Sequence, residues 1–331
     1  MKKLLTIIIF MCAVFSLSGC IGKEKEYSKN MIYMDTYINV KIYSNKKDAI
    51  KYLNEVDSIY SKYSELSDAF NKYNNVKNIY YINNELNVNE KLKIDKELYN
   101  LINYGVKAYN ISSGSVNIAM GNITFLWKKY ISKGEGIPTE SELHEAGKNI
   151  NINDILLEDN TIMKKSDIKI DLGGIAKGYV TEIAGKYLES VGIDKYIINA
   201  GGNVKVGEHY NNNLYKIGIE KPIKDSDDIY KVVKLENESV VTSGNYERYY
   251  EYNGKIYHHI IDPKTLYPAS FMRSVTVITK DSGYADILAK ILFLMPIEDG
   301  ERYVNNMKNV EAIWYGNNDD IYYSDGFDKY E

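Results

Sequence analysis

Hydrophobic and polar residues follow two kinds of pattern along most of the chain. Over 31–43 they alternate, which predicts a β-strand. Over 46–63 the apolar residues recur every three or four positions, which predicts an amphipathic helix. Asp95 is a typical N-cap residue, and it precedes a second predicted helix over 95–110. The first part of the chain is therefore expected to contain one strand followed by two helices.

A third helix is predicted over 175–191, where apolar residues recur every four positions and Gly192 follows as a helix-ending glycine. Further strands are predicted over 168–171, 196–199, 214–219, 229–242, 274–279 and 312–315, and a further helix over 284–295. The two kinds of element are partly segregated, which favours an α+β domain over a repeating βαβ fold. Because 31–331 contain no internal repeat or long linker, we expect this range to form one domain.

The N-terminus has the pattern of an export signal. Lys2 and Lys3 precede an apolar run that ends at Leu17, too short to span a membrane, which takes about 20 residues. The run closes with Leu-Ser-Gly-Cys at 17–20, which resembles the lipobox of bacterial lipoproteins, where the cysteine is lipidated and becomes the first mature residue. The alternative, an uncleaved signal anchor with a coincidental Cys20, stays open.

A lipobox implies a signal peptide over 1–19, a lipid anchor at Cys20 and a polar tether over 20–30. The protein would then be exported and held on the outer face of the bacterial cytoplasmic membrane. The chain contains two cysteines, and Cys12 would leave with the signal. The mature chain would therefore have neither an internal disulfide nor a cysteine metal site.

Composition narrows the function classes. With 44% hydrophobic and 26% charged residues among 331, the chain is too apolar for a disordered tail and too charged for a protein with many membrane spans. Lys+Arg 41 against Asp+Glu 45 gives a net charge of −4, which argues against a general nucleic-acid-binding surface.

A glycine turn joins the predicted strand 168–171 to the helix that follows. Asp171-Leu-Gly-Gly174 would let a ligand approach the backbone closely, and the helix N-terminus suits an anion such as phosphate. Lys177, one turn into the helix, could add a positive charge. The alternative is a tight structural turn with a surface lysine.

The pair His258-His259 stands out because the chain has only four histidines. Neighbouring residues on a strand point to opposite faces, so only one of the two rings can enter a site. This disfavours a metal held by both rings and leaves a single base or hydrogen-bonding imidazole. A purely structural role for the histidines remains the alternative.

Several motifs occur together in one order. They are M-D-T from Met34, S-G-S-V-N from Ser113, DLGGIAKGY from Asp171, INAGGN from Ile198, TSGNYERYY from Thr242, HIIDP from His259 and SVTVI followed by AD at 285–286. This set resembles the ApbE family of flavin transferases (FAD:protein FMN transferases) over roughly residues 31–315. The resemblance implies an ApbE-like, T-fold-like α+β domain with mixed, largely antiparallel sheets and packed helices.

The resemblance also implies a reaction. In a Mg²⁺-dependent step, a Thr or Ser hydroxyl of a target flavoprotein subunit attacks the FMN phosphorus of FAD, and AMP leaves. His259 would be the base or orienting group for the hydroxyl, and Mg²⁺ would be held at Gly174, Asp286 and the position of Lys290. The residues expected to contact FAD are Met34, Tyr63, Ser115, Val116, Asn117, Asp171, Lys177 and Ile260.

Four positions depart from the family pattern. Lys290 stands where the family usually has a threonine that binds the metal, and a charged lysine has no lone pair to offer. It could pair with Asp286 one helical turn away, or its ammonium could take the place of the metal. Asn117, Ala119 and Leu266 replace the usual Asp, Thr and Gly. Two alternatives therefore stay open, a catalytically weak FAD-binding lipoprotein of the same fold and an unrelated ligand-capturing lipoprotein.

Overall fold

The first element is a β-hairpin, formed by β1 (Lys25–Tyr33) and β2 (Thr36–Ser44). The computed structural model describes residues 24–226 and 228–331, so the predicted signal peptide and Cys20 lie outside the described residues. The single strand predicted over 31–43 is wrong. Met34 and Asp35 form a two-residue turn with a φ of 54° each, and the alternation continues on both sides of it. Residues 25–30, predicted as tether, belong to β1.

Helices and further strands follow in chain order. The helices are α1 (Ala49–Ser67), α2 (Ile79–Asn84), α3 (Lys96–Ile111), α4 (Gly121–Lys133), α5 (Glu140–Gly147), α6 (Ala176–Ser190), α7 (Ser282–Phe293) and α8 (Ile297–Asn305). The remaining strands are β3 (Leu92–Lys93), β4 (Ile155–Glu158), β5 (Thr161–Lys164), β6 (Tyr196–Ala200), β7 (Asn203–Val206), β8 (Tyr215–Glu220), β9 (Ile229–Leu235), β10 (Ser239–Gly244), β11 (Tyr249–Tyr252), β12 (Lys255–His258), β13 (Ser274–Thr279), β14 (Glu311–Tyr315) and β15 (Ile321–Tyr323).

The central sheet has eight strands in the order β1-β2-β6-β7-β10-β13-β14-β15, and every neighbouring pair is antiparallel. Smaller antiparallel sheets pair β11 with β12, β8 with β9, and β5 with β3 and β4. The prediction of an α+β fold with largely antiparallel sheets is confirmed. None of the helices among the described residues has both the length and the apolarity to cross a membrane.

Local signals account for several boundaries. The side chain of Asp95 accepts a hydrogen bond of 2.9 Å from the amide of Glu97 and caps α3 as predicted. Gly192 follows α6 with a φ of 70°, as expected of a glycine after a helix. Residues 229–242 form two strands instead of one, because the chain turns at Asn237, which has a φ of 54°.

The strand predicted over 168–171 is also wrong. Only Lys169 makes a bridge, parallel to Met120. The amide of Ile170 instead donates to the side-chain oxygen of Asn83 at 2.7 Å, and the amide of Asp171 donates to the carbonyl of Ile118 at 2.9 Å. The segment is extended, but its hydrogen bonds go to scattered partners rather than to one neighbouring strand.

The main core lies between the central sheet and the helices α1, α6 and α7. The helices α6 and α7 approach each other closely at Gly178. A Cβ at this position would lie 2.5 Å from the Cβ of Asp286 and 2.7 Å from the carbonyl oxygen of Ser282. Only glycine permits this approach, which brings the N-terminus of α6 against the side chain of Asp286.

A smaller core packs around Trp127 and Leu143 of α4 and α5, beside Leu266. Leu266 has a φ of 63°, so the turn adopts the left-handed conformation for which glycine is better suited. Its carbonyl accepts a hydrogen bond of 2.8 Å from the indole nitrogen of Trp127. The side chain packs against the same core, which offsets a backbone cost of about 1–2 kcal/mol.

Candidate functional site

A cleft of about 890 Å³ opens among the β1–β2 turn, the end of α1, the loop after α3, the turn before α6, and α7. Cavities of roughly this size hold organic ligands and cofactors. Of the residues predicted to form the site, all but Tyr63 line this cleft. They are Met34, Ser115, Val116, Asn117, Asp171, Gly174, Lys177, His259, Ile260, Asp286 and Lys290.

Tyr63 is the exception, because it does not line the cleft, and its contact with flavin stays a prediction. Its side chain is buried in the main core, where its ring packs edge-to-face on Tyr179 with ring centroids 5.9 Å apart. Ser64 and Ser67 of the same helix line the cleft instead. Successive helical residues point about 100° apart, so the helix turns Tyr63 toward the core and its neighbour Ser64 toward the cleft.

The loop after α3 is held by its own side chains. The hydroxyl of Ser115 donates to the carbonyl of Ser112 at 2.8 Å, and the hydroxyl oxygen of Ser112 accepts from the amide of Val116 at 2.9 Å. Asn117 donates from its amide group to the carbonyl of Ile150 at 2.9 Å. A carboxylate cannot make this donation, which explains asparagine at a position where the family usually has aspartate.

The turn before α6 positions two carboxylates. Asp171 Oδ1 accepts from the amide of Gly173 at 2.9 Å. Asp286 Oδ2 accepts from the amide of Gly178 at 3.0 Å, in the first turn of α6. The predicted anion site at this helix N-terminus is therefore partly occupied by a carboxylate of the protein itself.

Asp286 and Lys290 form an ion pair at the wall of the cleft. Lys290 Nζ lies 2.5 Å from Asp286 Oδ1, and the two side chains are 19% and 5% exposed. The Cε of Lys290 lies 3.3 Å from the position that a Cβ on Gly174 would occupy. The lysine therefore lies between Gly174 and Asp286, the two groups predicted to bind Mg²⁺, and binds the carboxylate itself.

This arrangement does not fit a magnesium ion. Both oxygens of Asp286 already accept hydrogen bonds, one from the amide of Gly178 and one from the ammonium of Lys290. A charged ammonium offers no lone pair to a metal. Over residues 24–226 and 228–331, no group of three or more His, Cys, Asp or Glu side chains is arranged to hold a metal ion. The residues present therefore do not fit the metal site that the family resemblance implies at Lys290.

The two histidines have different surroundings, as predicted. His258 is buried at the end of β12. Its Nε2 donates to the carbonyl of Ala269 at 2.7 Å, and its Nδ1 accepts from the amide of Ile260 at 3.2 Å. Burial lowers the pKa of His258 to about 4, although the bond to Ala269 acts in the opposite direction. The bonds and the low pKa both describe a neutral, structural histidine.

The ring of His259 is open to the cleft and lies among positive charges. The largest cause of its lowered pKa is desolvation, because the surrounding protein displaces bulk water. His258 and the cationic side chains Arg248, Lys177 and Lys290 lower it further, to about 3. Burial also lowers the pKa of Lys177, against the favourable charge of Asp286. His259 is therefore a neutral imidazole at pH 7, the form that can accept a proton.

Arg248 and Asn203 are among the cleft residues that carried no predicted role. Arg248 lies in the TSGNYERYY segment and donates from Nη2 to the carbonyl of Asp35 at 3.4 Å. Asn203 follows the Gly-Gly turn. It is buried, and its Oδ1 accepts from the hydroxyl of Ser282 at 2.6 Å. Within the described structure its buried Nδ2 has no hydrogen-bond partner.

Aromatic side chains form another part of the wall. Phe70 packs edge-to-face on Phe125 with centroids 5.0 Å apart, and Lys128 Nζ lies 3.5 Å from the centroid of Phe70. Phe70 is 48% exposed, although it is a large apolar residue. A flat apolar wall next to a cationic, glycine-rich wall suits a ligand that combines aromatic rings with phosphates.

Comparisons with known proteins agree with this chemistry. A model described as the ApbE family matches residues 34–314. A Klebsiella pneumoniae (strain 342) relative called FAD:protein FMN transferase is 29% identical over 303 residues, which cover 90% of this chain and 92% of the relative. A Treponema pallidum (strain Nichols) relative of the same name is 25% identical over 326 residues, which cover 92% and 89%. The crystal structure of the ApbE protein from Thermotoga maritima superimposes with a TM-score of 0.83 and 28% identity, over 93% of this chain and 99% of that one.

Proposed function

Because the chain belongs to the ApbE family, we propose that it transfers FMN from FAD to a hydroxyl group of a target protein. The observation that supports this best is the cleft itself. It combines a neutral imidazole at His259 and three cations, Lys177, Arg248 and Lys290, with an aromatic wall. FAD presents the matching chemistry, with two aromatic ring systems joined by a pyrophosphate.

The proposed step is a phosphoryl transfer. The oxygen of an acceptor Thr or Ser forms a bond to the FMN phosphorus, and the bond from that phosphorus to the bridging oxygen breaks. AMP leaves with the bridging oxygen, and the acceptor proton passes to the imidazole of His259. Such a reaction needs mainly positioning and neutralisation of negative charge. The cations of the cleft would supply the neutralisation, and no part of this step is assigned to a metal.

A second candidate is an FAD-binding lipoprotein of the same fold that transfers FMN slowly. The Asp286–Lys290 ion pair favours it, because an ammonium is a weaker electrophile than a divalent metal ion. The test is incubation with FAD and a flavoprotein subunit produced without its covalent flavin. Fluorescence that stays on the subunit in a denaturing gel supports the transferase. A protein that is yellow from bound flavin but leaves no fluorescence on the subunit under any condition supports the binding protein.

We further propose that Cys20 is lipidated and anchors the protein to the outer face of the cytoplasmic membrane, a proposal supported by the lipobox pattern of the sequence. Cys20→Ala should then move the protein from the membrane fraction to the soluble fraction. Cys12→Ala is the matched control, because it removes a cysteine from the apolar run and leaves the lipobox unchanged. A Cys20→Ala protein that stays with membranes after a salt wash contradicts the anchor.

A further inference from the structure

We infer that Lys290 takes the place of a divalent cation in this cleft, so that the pyrophosphate of FAD is bound through ammonium and guanidinium groups without a metal ion. The inference rests on the proposed function, since it concerns how the same site binds FAD. It makes this chain's cofactor requirement different from the Mg²⁺ dependence that its family resemblance implies.

The position of the ammonium is the first argument. The stem of Lys290 runs along Gly174, and Nζ lies 2.5 Å from Asp286 Oδ1. The side chain is only 19% exposed, so it is held at the wall of the cleft and does not extend into solvent. A lysine with its stem packed and its charge paired has few alternative positions to adopt.

The state of Asp286 is the second argument. Its side chain is 5% exposed and has both oxygens in hydrogen bonds, one to the amide of Gly178 and one to Lys290. A metal ion at Oδ1 would have to displace the ammonium or share that oxygen with it. A shared oxygen would hold the ion close to the ammonium, and the repulsion is twice that between two unit charges.

The charge of the neighbouring groups is the third argument. Lys177 and Arg248 act on the imidazole of His259 together with Lys290, so three positive side chains surround the same part of the cleft. An ammonium has three N–H donors, so Lys290 can bind Asp286 and still donate to a phosphate oxygen beside Lys177 and Arg248. Charged donors also form the strongest hydrogen bonds to phosphate oxygens.

The experiment measures FAD affinity by fluorescence quenching, with EDTA and with excess Mg²⁺. For the unchanged protein we expect the two dissociation constants to agree within about twofold. For Lys290→Thr we expect roughly 10- to 100-fold weaker binding in EDTA, the range that one hydrogen bond to a charged group provides. Mg²⁺ should restore that binding, because Asp286 Oδ1 is then free and the introduced hydroxyl can serve as a ligand.

Two more variants show whether a loss of FAD binding comes from the missing charge and ligand at position 290 or from removal of any lysine. Lys290→Met keeps the apolar stem but offers neither charge nor ligand, so Mg²⁺ should restore its binding less than that of Lys290→Thr. Lys186→Thr is the matched control, because Lys186 pairs with Glu182 four residues earlier at 3.1 Å, on α6 but outside the cleft. It should bind FAD like the unchanged protein.

Melting temperatures measured without FAD give a second test, which also applies to variants that fold poorly. Binding of an ion to the folded state raises the melting temperature, so Mg²⁺ alone should stabilise Lys290→Thr and leave the unchanged protein unaffected. The inference is overturned if the unchanged protein binds FAD only with Mg²⁺, or if Lys290→Thr binds normally in EDTA. Equal loss in Lys186→Thr overturns it too. If the unchanged protein binds FAD under neither condition, the proposed function fails as well.

Discussion

His259→Ala removes the imidazole that faces the cleft and leaves the buried His258 in place. Desolvation and the neighbouring cations keep the imidazole of His259 neutral at pH 7 by lowering its pKa, so the substitution removes a group that can accept the proton of the acceptor hydroxyl. The contribution of such a general base is about 10²- to 10⁴-fold in rate, or about 3–5 kcal/mol of transition-state stabilisation. The ring is open to the cleft and has no hydrogen bond within the described structure, so folding should change little.

Three measurements test this together. The FMN transfer rate should fall by the stated factor, while FAD affinity stays within about threefold and the melting temperature within about 2 °C. A variant that keeps more than about a tenth of the rate would refute the role of His259 in proton transfer.

His258 provides the contrast, because it is buried and its two ring nitrogens bond Ala269 and Ile260. His258→Ala would leave a buried carbonyl and a buried amide without partners, at a cost of about 1–3 kcal/mol each. We therefore expect a lowered melting temperature and a rate per folded molecule that changes less than in His259→Ala. Equal rate losses without loss of stability would contradict the assignment.

The pH dependence of the rate follows from the same surroundings. The imidazole of His259 is kept neutral by the displacement of bulk water and by the neighbouring Arg248, Lys177 and Lys290. A bound pyrophosphate adds negative charge near it and raises its pKa. The acid limb of the kcat profile reports the enzyme–substrate complex, whereas that of kcat/KM reports the free enzyme. The limb that belongs to His259 should therefore lie at higher pH in kcat than in kcat/KM. The comparison is made on full pH–rate profiles, and coincident limbs would contradict it.

Three further predictions concern stability. Gly178→Ala should lower the free energy of unfolding by about 2 kcal/mol in chemical denaturation, since the added Cβ would lie 2.5 Å from the Cβ of Asp286. His258 has a folded pKa of about 4 against an ordinary 6.5, so the unfolded chain binds its proton first. Stability should fall by up to about 3 kcal/mol as pH drops from 6.5 to 4, and His258→Gln should reduce that fall. Asn117→Asp restores the usual family residue, yet it should cost about 1–2 kcal/mol in thermal unfolding because the bond to Ile150 is lost.

Sequence patterns predicted elements well where burial and local signals agree. The strand Ser274–Thr279 has all six residues buried, and its predicted bounds are those of β13. The helix after Asp95 begins where its cap predicts. The turn at Met34 and Asp35 was missed because neither residue is glycine or asparagine, although both have a φ of 54°. Alternation alone cannot distinguish one strand from two strands joined by so short a turn.

The candidate site could also be predicted only in part from the sequence. Motif residues carried over from the family line the cleft, because the turns and loops that hold them are local. Tyr63 was also carried over from the family, but its packing against Tyr179 decides its direction. The pairing of Asp286 with Lys290 was foreseeable from their helical spacing. The position of the ammonium beside Gly174 was not, because it depends on how closely α6 and α7 pack.

The early start of β1 limits where an acceptor protein can be reached. If Cys20 carries the proposed lipid, only residues 21–24 separate it from Lys25, and the five residue-to-residue steps from Cys20 to Lys25 extend at most about 17 Å. The nine residues of β1 then run about 30 Å to the turn at Met34, on the wall of the cleft. The cleft would work within roughly 50 Å of the bilayer surface. Subunits embedded in the same membrane would meet it there by lateral diffusion, which favours them over proteins that are free in solution.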